Sequence, residues 1–185
     1  MKHGFTLLEL LIVIGILAIL AAVVTVVLNP AELLKQARDS QRVSDLASLS
    51  SALGMYLADV ASPSLGTSAN CYVNATSVAA NCNARHTGKT LTYDADRTVD
   101  GNGWIPVNLT TISSGSPLPL LPTDPTNDAT YFYSYVPSVA ASSTWEIDAK
   151  FESTKYTTTM DLDGKDGGTG GTDIYETGTQ PKLDF

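Results

Sequence analysis

Four aspartates share one short, glycine-rich segment late in the chain. They are Asp161, Asp163, Asp166 and Asp173 of DLDGKDGGTGGTD, with five glycines between them. Calcium prefers roughly six to eight oxygen ligands in a pliable shell, and glycines let backbone carbonyls turn inward. The spacing is not that of an EF-hand, because Lys165 takes a ligand position and Thr172 replaces the final glutamate. The segment predicts a calcium (Ca2+) site on these four aspartates, with a solvated acidic turn as the plain alternative.

Two cysteines bracket the polar segment CYVNATSVAANC. In an exported protein, Cys71 and Cys82 would form a disulfide that closes a surface loop and contributes ~2–3 kcal/mol. The alternative is two unrelated thiols. A zinc site on these cysteines would need two more ligands, and only His86 lies nearby.

Catalytic patterns are missing from the sequence. The chain has two histidines, His3 and His86, and their spacing to serine, cysteine or aspartate matches no nucleophilic motif. There is no phosphate-binding GxxxxGK[ST] and no dinucleotide fingerprint. The sequence therefore predicts a protein that is not an enzyme.

One acidic residue interrupts a long apolar run. Residues 5–28, FTLLELLIVIGILAILAAVVTVVL, contain only two threonines and Glu9 as polar residues. Placing a carboxylate in hydrocarbon costs several kcal/mol of free energy unless it is paired or protonated. The position of Glu9 within the apolar run therefore indicates a functional role. A cut between Gly4 and Phe5 would free an α-amino group, which a neighbouring subunit could present to Glu9.

This run is long enough to cross a membrane as a helix. At ~1.5 Å per residue, its 24 residues span a hydrocarbon layer of ~30 Å. A cleaved secretory signal is the competing interpretation, because MKHG is a short basic leader and a cut near Ala22 is conceivable. The apolar stretch exceeds the roughly 7 to 15 residues of such signals, and Glu9 has no place in one.

A helix breaker follows the apolar run. Asn29 and Pro30 should kink or interrupt the helix, since proline lacks an amide donor and clashes with the preceding turn. The plain alternative is a boundary between a membrane helix and a separate soluble helix. Residues 30–60 then predict an amphipathic helix, with apolar positions at Leu46, Leu49 or Ser50, Leu53, Leu57 and Val60. The basic residues Lys35, Arg38 and Arg42 are expected on a solvated or headgroup-facing surface.

The second half of the chain contains strand patterns. TWEIDAKF alternates strictly, with Trp145, Ile147, Ala149 and Phe151 on one side and polar residues on the other. Residues 131–136 and 155–162 alternate similarly. The fold class predicted is α+β: a long hydrophobic helix continuing into an amphipathic helix packed on a small antiparallel sheet. The net charge of −8 with only 11 Lys and Arg argues against a nucleic-acid site.

The N-terminal segment resembles a known family signature. MKHG followed by FTLLELLIVIGILAIL looks like the class III signal of type IV prepilins and type II secretion pseudopilins. This resemblance implies a pilin-like fold, cleavage after Gly4 and methylation of Phe5 by a prepilin peptidase, and pairing of Glu9 with the methylated amine of the next subunit. It also implies an inner-membrane precursor and a helical homopolymer raised by an assembly platform and ATPase. The filament would be extracellular or periplasmic.

Two further segments carry the resemblance. LPLLPTDPTNDATYFY is similar to the LPxDP element of the major pseudopilin, with Thr126 where an aromatic residue often stands, and the acidic glycine segment is similar to its calcium loop. The first hypothesis is a type IV pilus subunit, and the second is a pseudopilin of type II secretion. A monomeric membrane-anchored binding module is a third, but it leaves Glu9 unexplained. The predicted parts are a leader (1–4), an assembly helix (5–29), an amphipathic helix (30–60) and a globular domain (61–185), divided into a variable loop region (61–122) and a sheet with the acidic loop (123–185).

Overall fold

The computed structural model describes residues 4–76, 78, 82, 85–86, 88–138, 144–163 and 174–179. Two consecutive helices occupy the N-terminal third, α1 (Leu7–Leu28) and α2 (Pro30–Asp59). Asn29 joins them in a left-handed conformation (φ 39°), and its side chain accepts a hydrogen bond from the backbone of Glu32. Proline suits the first position of a helix, where its missing N–H leaves no bond unmade. The chain therefore ends one helix and begins the next at this pair.

A five-stranded sheet packs against α2. Its strands are β1 (Asn70–Val73), β2 (Thr90–Tyr93), β3 (Ser134–Pro137), β4 (Trp145–Ala149) and β5 (Tyr175–Gly178). Their order across the sheet is β2-β1-β3-β4-β5. Only β1 and β2 are parallel, and the other neighbours are antiparallel. The predicted α+β class is confirmed, but the sheet is mixed where a small antiparallel sheet was expected.

The main core lies between α2 and one face of the sheet. The helix supplies Leu46, Leu49 and Leu53 at three- and four-residue spacing, and each is at most 1% exposed. Alternation along β4 turns Trp145 and Ile147 onto the same core. Burial of each such side chain contributes about 1.5–3 kcal/mol, so this layer holds the long helix to the domain.

The opposite face of the sheet is also covered. Cys71, Val73 and Val136 point away from α2 and are buried with Phe132. From the chain between β1 and β2, the described residues Ala75, Val78 and Cys82 pack on them. The disulfide Cys71–Cys82 attaches that segment to β1. The sheet is thus the middle of three layers, whereas a half-buried strand was expected at β4.

One predicted strand is wrong. The alternating segment 155–162 does not join the sheet; Lys155–Thr159 forms a single π-helical turn. The backbone N–H of Thr157 and its hydroxyl both donate to the carbonyl of Ser153, and the Tyr156 ring packs 5.2 Å from Phe151. Local hydrogen bonds satisfy this backbone without a partner strand, and β5 lies beside β4 instead.

Candidate assembly site

No described part of the chain packs against helix α1. Every described side chain from residue 4 to 28 is exposed, and sixteen large hydrophobic residues in this range lie in the open. The segment Leu7–Thr25 has a mean hydropathy of 3.0 and is the one helix, within the described residues, long and apolar enough to cross a membrane. So large an apolar surface is not stable in water, which means that lipid or other protein must cover it.

Glu9 lies at the polar start of this helix. Its carboxylate oxygen Oε2 accepts hydrogen bonds from the backbone N–H and the hydroxyl of Thr6, both at 2.8 Å. The Thr6 hydroxyl in turn accepts from the backbone N–H of Glu9 at 3.2 Å. This reciprocal capping box satisfies N–H groups that a helix start leaves unpaired. In the isolated chain, Glu9 is therefore satisfied within its own helix.

The Gly4–Phe5 peptide precedes α1 and lies outside any helix. Phe5 is 86% exposed, and a Cβ added to Gly4 would meet no atom within 4 Å. Neither residue packs on the described part of the chain, so no described part of the fold obstructs access to this bond.

C-terminal to the junction at Asn29, a buried cluster of charged side chains attaches α2 to the globular part. Arg42 donates to both oxygens of Asp124, at 2.6 and 2.8 Å, and to Asp39 at 2.8 Å. It also pairs with Glu152 at 2.7 Å. The prediction that Arg42 is solvated is wrong, since its side chain is fully buried. Arg38 lies at the edge of the same cluster and pairs with Glu152.

Arg42 and Glu152 stabilise each other's charged forms. Burial acts to lower the pKa of Arg42, but its hydrogen bonds and charge contacts with Asp124, Asp39 and Glu152 outweigh that effect and raise the pKa overall. The hydrogen bond from Arg38, followed by those from Arg42, lowers the pKa of Glu152 to about 2. Arg42 and Glu152 are consequently ionised at neutral pH. Arg42 is the cation that Asp39, Asp124 and Glu152 share.

The LPTDP segment is a docking turn. Asp124 Oδ1 accepts from the backbone N–H of Thr126 at 2.8 Å, and Pro122 O accepts from the indole of Trp104 at 3.1 Å. The same Asp124 carries the Arg42 contact described above. The turn thus attaches the globular domain to α2, and both carboxylate oxygens of Asp124 accept hydrogen bonds that hold this attachment.

Only part of the predicted calcium site can be located. Asp161 has a left-handed backbone (φ 51°), and Asp163, which follows closely, is 5% exposed. Asp166 and Asp173 lie outside the described residues. Calcium binding therefore remains a prediction.

The sheet brings together a group of residues that the sequence analysis kept apart. His86 Nε2 lies 2.6 Å from Asp148 Oδ2 and 3.4 Å from the hydroxyl of Ser134, and His86 Nδ1 lies 3.9 Å from Glu146 Oε1. This is not a catalytic triad, because serine and aspartate face the same ring nitrogen and all the groups are buried. Glu146 and Asp148 were expected on a polar, outward face of β4. The segment that buries them is remote in sequence, so alternation alone could not have located the group.

Comparison with known proteins gives one match. Residues 1–25 match the family model for the prokaryotic N-terminal methylation motif. No curated protein and no solved structure matches the chain. The matched segment contains Gly4, Phe5 and Glu9 together with most of bare α1. The chain therefore carries the class III prepilin-like signature of type IV pilins and pseudopilins.

Proposed function

We propose that this protein is a structural subunit of a type IV pilus-like filament, stored in the inner membrane as a precursor and polymerised through α1 after cleavage behind Gly4. The observation that carries this proposal is the wholly exposed apolar helix headed by the methylation motif. Lipid covers such a helix before assembly, and the helices of neighbouring copies cover it afterwards. The motif also supports a structural role for the chain.

Glu9 gives the assembly its register. Cleavage after Gly4 creates an amine at Phe5, and a neighbouring subunit shifted along the bundle brings this amine to the Glu9 carboxylate. In apolar surroundings, an unpaired charge of either sign costs several kcal/mol, so subunits that dock out of register are rejected. The Thr6 contacts satisfy the same carboxylate until a partner arrives.

The junction at Asn29 and Pro30 allows the assembly helix to reorient. No backbone hydrogen bond of the regular helical kind can form at the proline, and Asn29 is left-handed. The domain itself is held rigidly to α2 through Arg42 and the leucine core. A change of direction between membrane and filament would therefore be absorbed at this junction.

A pseudopilin of type II secretion is the second candidate. The LPTDP turn and the acidic glycine segment favour it, since both are similar to elements of the major pseudopilin. The long variable loop region (61–122), which contains the disulfide Cys71–Cys82, favours a displayed pilus, and for this reason we prefer that function. Both functions share the prepilin peptidase, the assembly platform with its ATPase, and self-association; they differ in whether the filament ends outside the cell or in the periplasm.

Cleavage is tested by Gly4→Val. We expect the uncut, unmethylated chain to accumulate in the membrane and filament yield to fall more than about tenfold, because a branched side chain obstructs the peptidase. Gly15→Ala is the matched control, since a Cβ at either glycine meets no atom within 4 Å of the folded chain. Intact mass of the membrane fraction distinguishes the forms. Normal processing of Gly4→Val would contradict cleavage at this bond.

We also propose that calcium binds the acidic segment through Asp161, Asp163, Asp166 and Asp173. A ligand at a hundredfold above its Kd adds about 2.7 kcal/mol, which for a chain of this size raises the Tm by about 5–10 °C. Chelation of calcium from the full chain in detergent should lower the Tm by that amount, and calcium but not magnesium should restore it. An unchanged Tm after chelation would contradict calcium binding at this site.

A further inference from the structure

A second cluster of potential metal ligands lies on the sheet face opposite α2. His86, Glu146 and Asp148 are each at most 3% exposed, and their candidate donor atoms all lie within 4.8 Å of one another. Imidazole nitrogen and carboxylate oxygen are ligands that zinc accepts readily. We propose that these three residues bind a divalent transition-metal ion of the zinc type, at a site separate from the acidic glycine segment and independent of the filament proposal.

The fold explains how the three residues meet. Glu146 and Asp148 are two apart on β4, so both project from the same face of the sheet. His86 comes from the chain between Cys82 and β2, and the disulfide to β1 brings that segment over the same face. A metal ion here would link the covering segment to the sheet at a second point.

Two of the proposed ligand atoms have to move slightly apart before both can bind one metal ion. His86 Nε2 and Asp148 Oδ2 are 2.6 Å apart. Two ligands of a tetrahedral zinc ion are about 3.3 Å apart, so the pair has to open by about 0.7 Å. His86 is not part of a strand, and a small rotation of the imidazole provides this movement. The hydroxyl of Ser134, 3.0 Å from Asp148 Oδ2, or a water molecule would complete the shell.

A buried carboxylate oxygen of Asp148 is consistent with a bound cation at this position. Asp148 is 1% exposed, and its second oxygen, Oδ1, has no hydrogen-bond partner among the described residues. A buried polar atom without a partner typically costs about 1–3 kcal/mol, and more when it belongs to a charged group. Coordination to a metal ion would remove that cost.

The surrounding charges permit a dication. Arg85 donates to the backbone carbonyls of Phe132 and Thr130 and, at 3.3 Å, to the hydroxyl of Ser134. Lys150 lines the adjoining cavity. Glu176 lies opposite Asp148 in β5 and therefore on the same face. An imidazole that ligates a metal ion is neutral, and in that state three carboxylates outnumber two cations on this face. A divalent ion is thus attracted, and the nitrogen ligand favours zinc over calcium.

Metal content of the full chain, purified in detergent and stripped with a chelator, tests this site. After dialysis against zinc, we expect one tightly held ion per chain that excess calcium does not displace. His86→Asn should weaken zinc binding at least about a hundredfold, since even loss of an outer partner of a ligand costs 10–100-fold. His3→Asn, which alters the other histidine, should bind as the unaltered chain does.

A second measurement covers the case in which His86→Asn fails to fold. Cobalt(II) added to the unaltered stripped chain should give the visible absorption of a four-coordinate nitrogen and oxygen site, and zinc should abolish it. Near-UV circular dichroism of each variant without metal establishes that its domain is folded. Folded unaltered protein that holds no zinc and develops no cobalt band would overturn the proposal, as would undiminished zinc binding by a folded His86→Asn chain.

Discussion

Glu9→Val is expected to leave the subunit in the membrane and to reduce filament yield by two orders of magnitude or more. The substitution makes α1 wholly apolar, so insertion is unchanged or improved. In the filament, however, the amine of a neighbouring Phe5 would be buried without a partner. That costs several kcal/mol per subunit, and each 1.4 kcal/mol is a tenfold loss in an association constant. Quantification of sheared filaments against membrane-held subunit measures the effect.

Two control variants separate intermolecular pairing from local effects on α1. Thr6→Ala removes the capping box but keeps the carboxylate, at a cost of about 1 kcal/mol in helix stability. Thr25→Val removes a hydroxyl whose hydrogen bond, among the described residues, is to the carbonyl of Ala22 in its own helix. Both controls should retain filaments. A normal yield from Glu9→Val would show that assembly does not need a charge at this position. An equal loss from Thr6→Ala would show that Glu9 acts as a helix cap and not as an assembly charge.

Arg42→Met is expected to destabilise the globular domain by about 3–5 kcal/mol. The apolar side chain is of similar length, but it removes the cation shared by Asp39, Asp124 and Glu152 and leaves Glu152 paired with Arg38 alone. Urea unfolding of the full chain in detergent, followed by fluorescence of the buried Trp104 and Trp145, measures the change. The detergent keeps α1 solvated, so the transition reports the domain.

Arg38→Met is the matched control for this cluster. Arg38 pairs with the same Glu152, but its side chain is 36% exposed, and such solvated pairs contribute far less to stability than buried ones. We expect its midpoint to shift far less than that of Arg42→Met. Equal shifts for both variants would mean that burial of Arg42 does not set the strength of the cluster.

The sequence predicts the helical part of this fold well because its causes are local. A continuous apolar run requires a helix in lipid, and an asparagine–proline pair interrupts it where the structure passes from α1 to α2. The leucine spacing on α2 likewise identifies the face that packs on the sheet. Each of these patterns depends on residues close together in the chain.

The errors arise where a distant segment decides the environment. Alternation located β4 correctly but placed Glu146 and Asp148 in solvent, because a second layer over a strand leaves no mark on the strand itself. Arg42 was expected in solvent for a similar reason, since its partner Asp124 is 82 residues away. The cluster around His86 has no sequence motif at all; it becomes visible only when the disulfide and the sheet order are known.

The most direct test of the assembly account is intact mass together with N-terminal sequencing of the native protein, on sheared surface material and on membranes separately. The account predicts a chain that begins at methylated Phe5 in the sheared fraction. The same species confined to membranes would favour the secretion pseudopilus. A chain that still begins at Met1, or one cut near Ala22, would contradict polymerisation through α1.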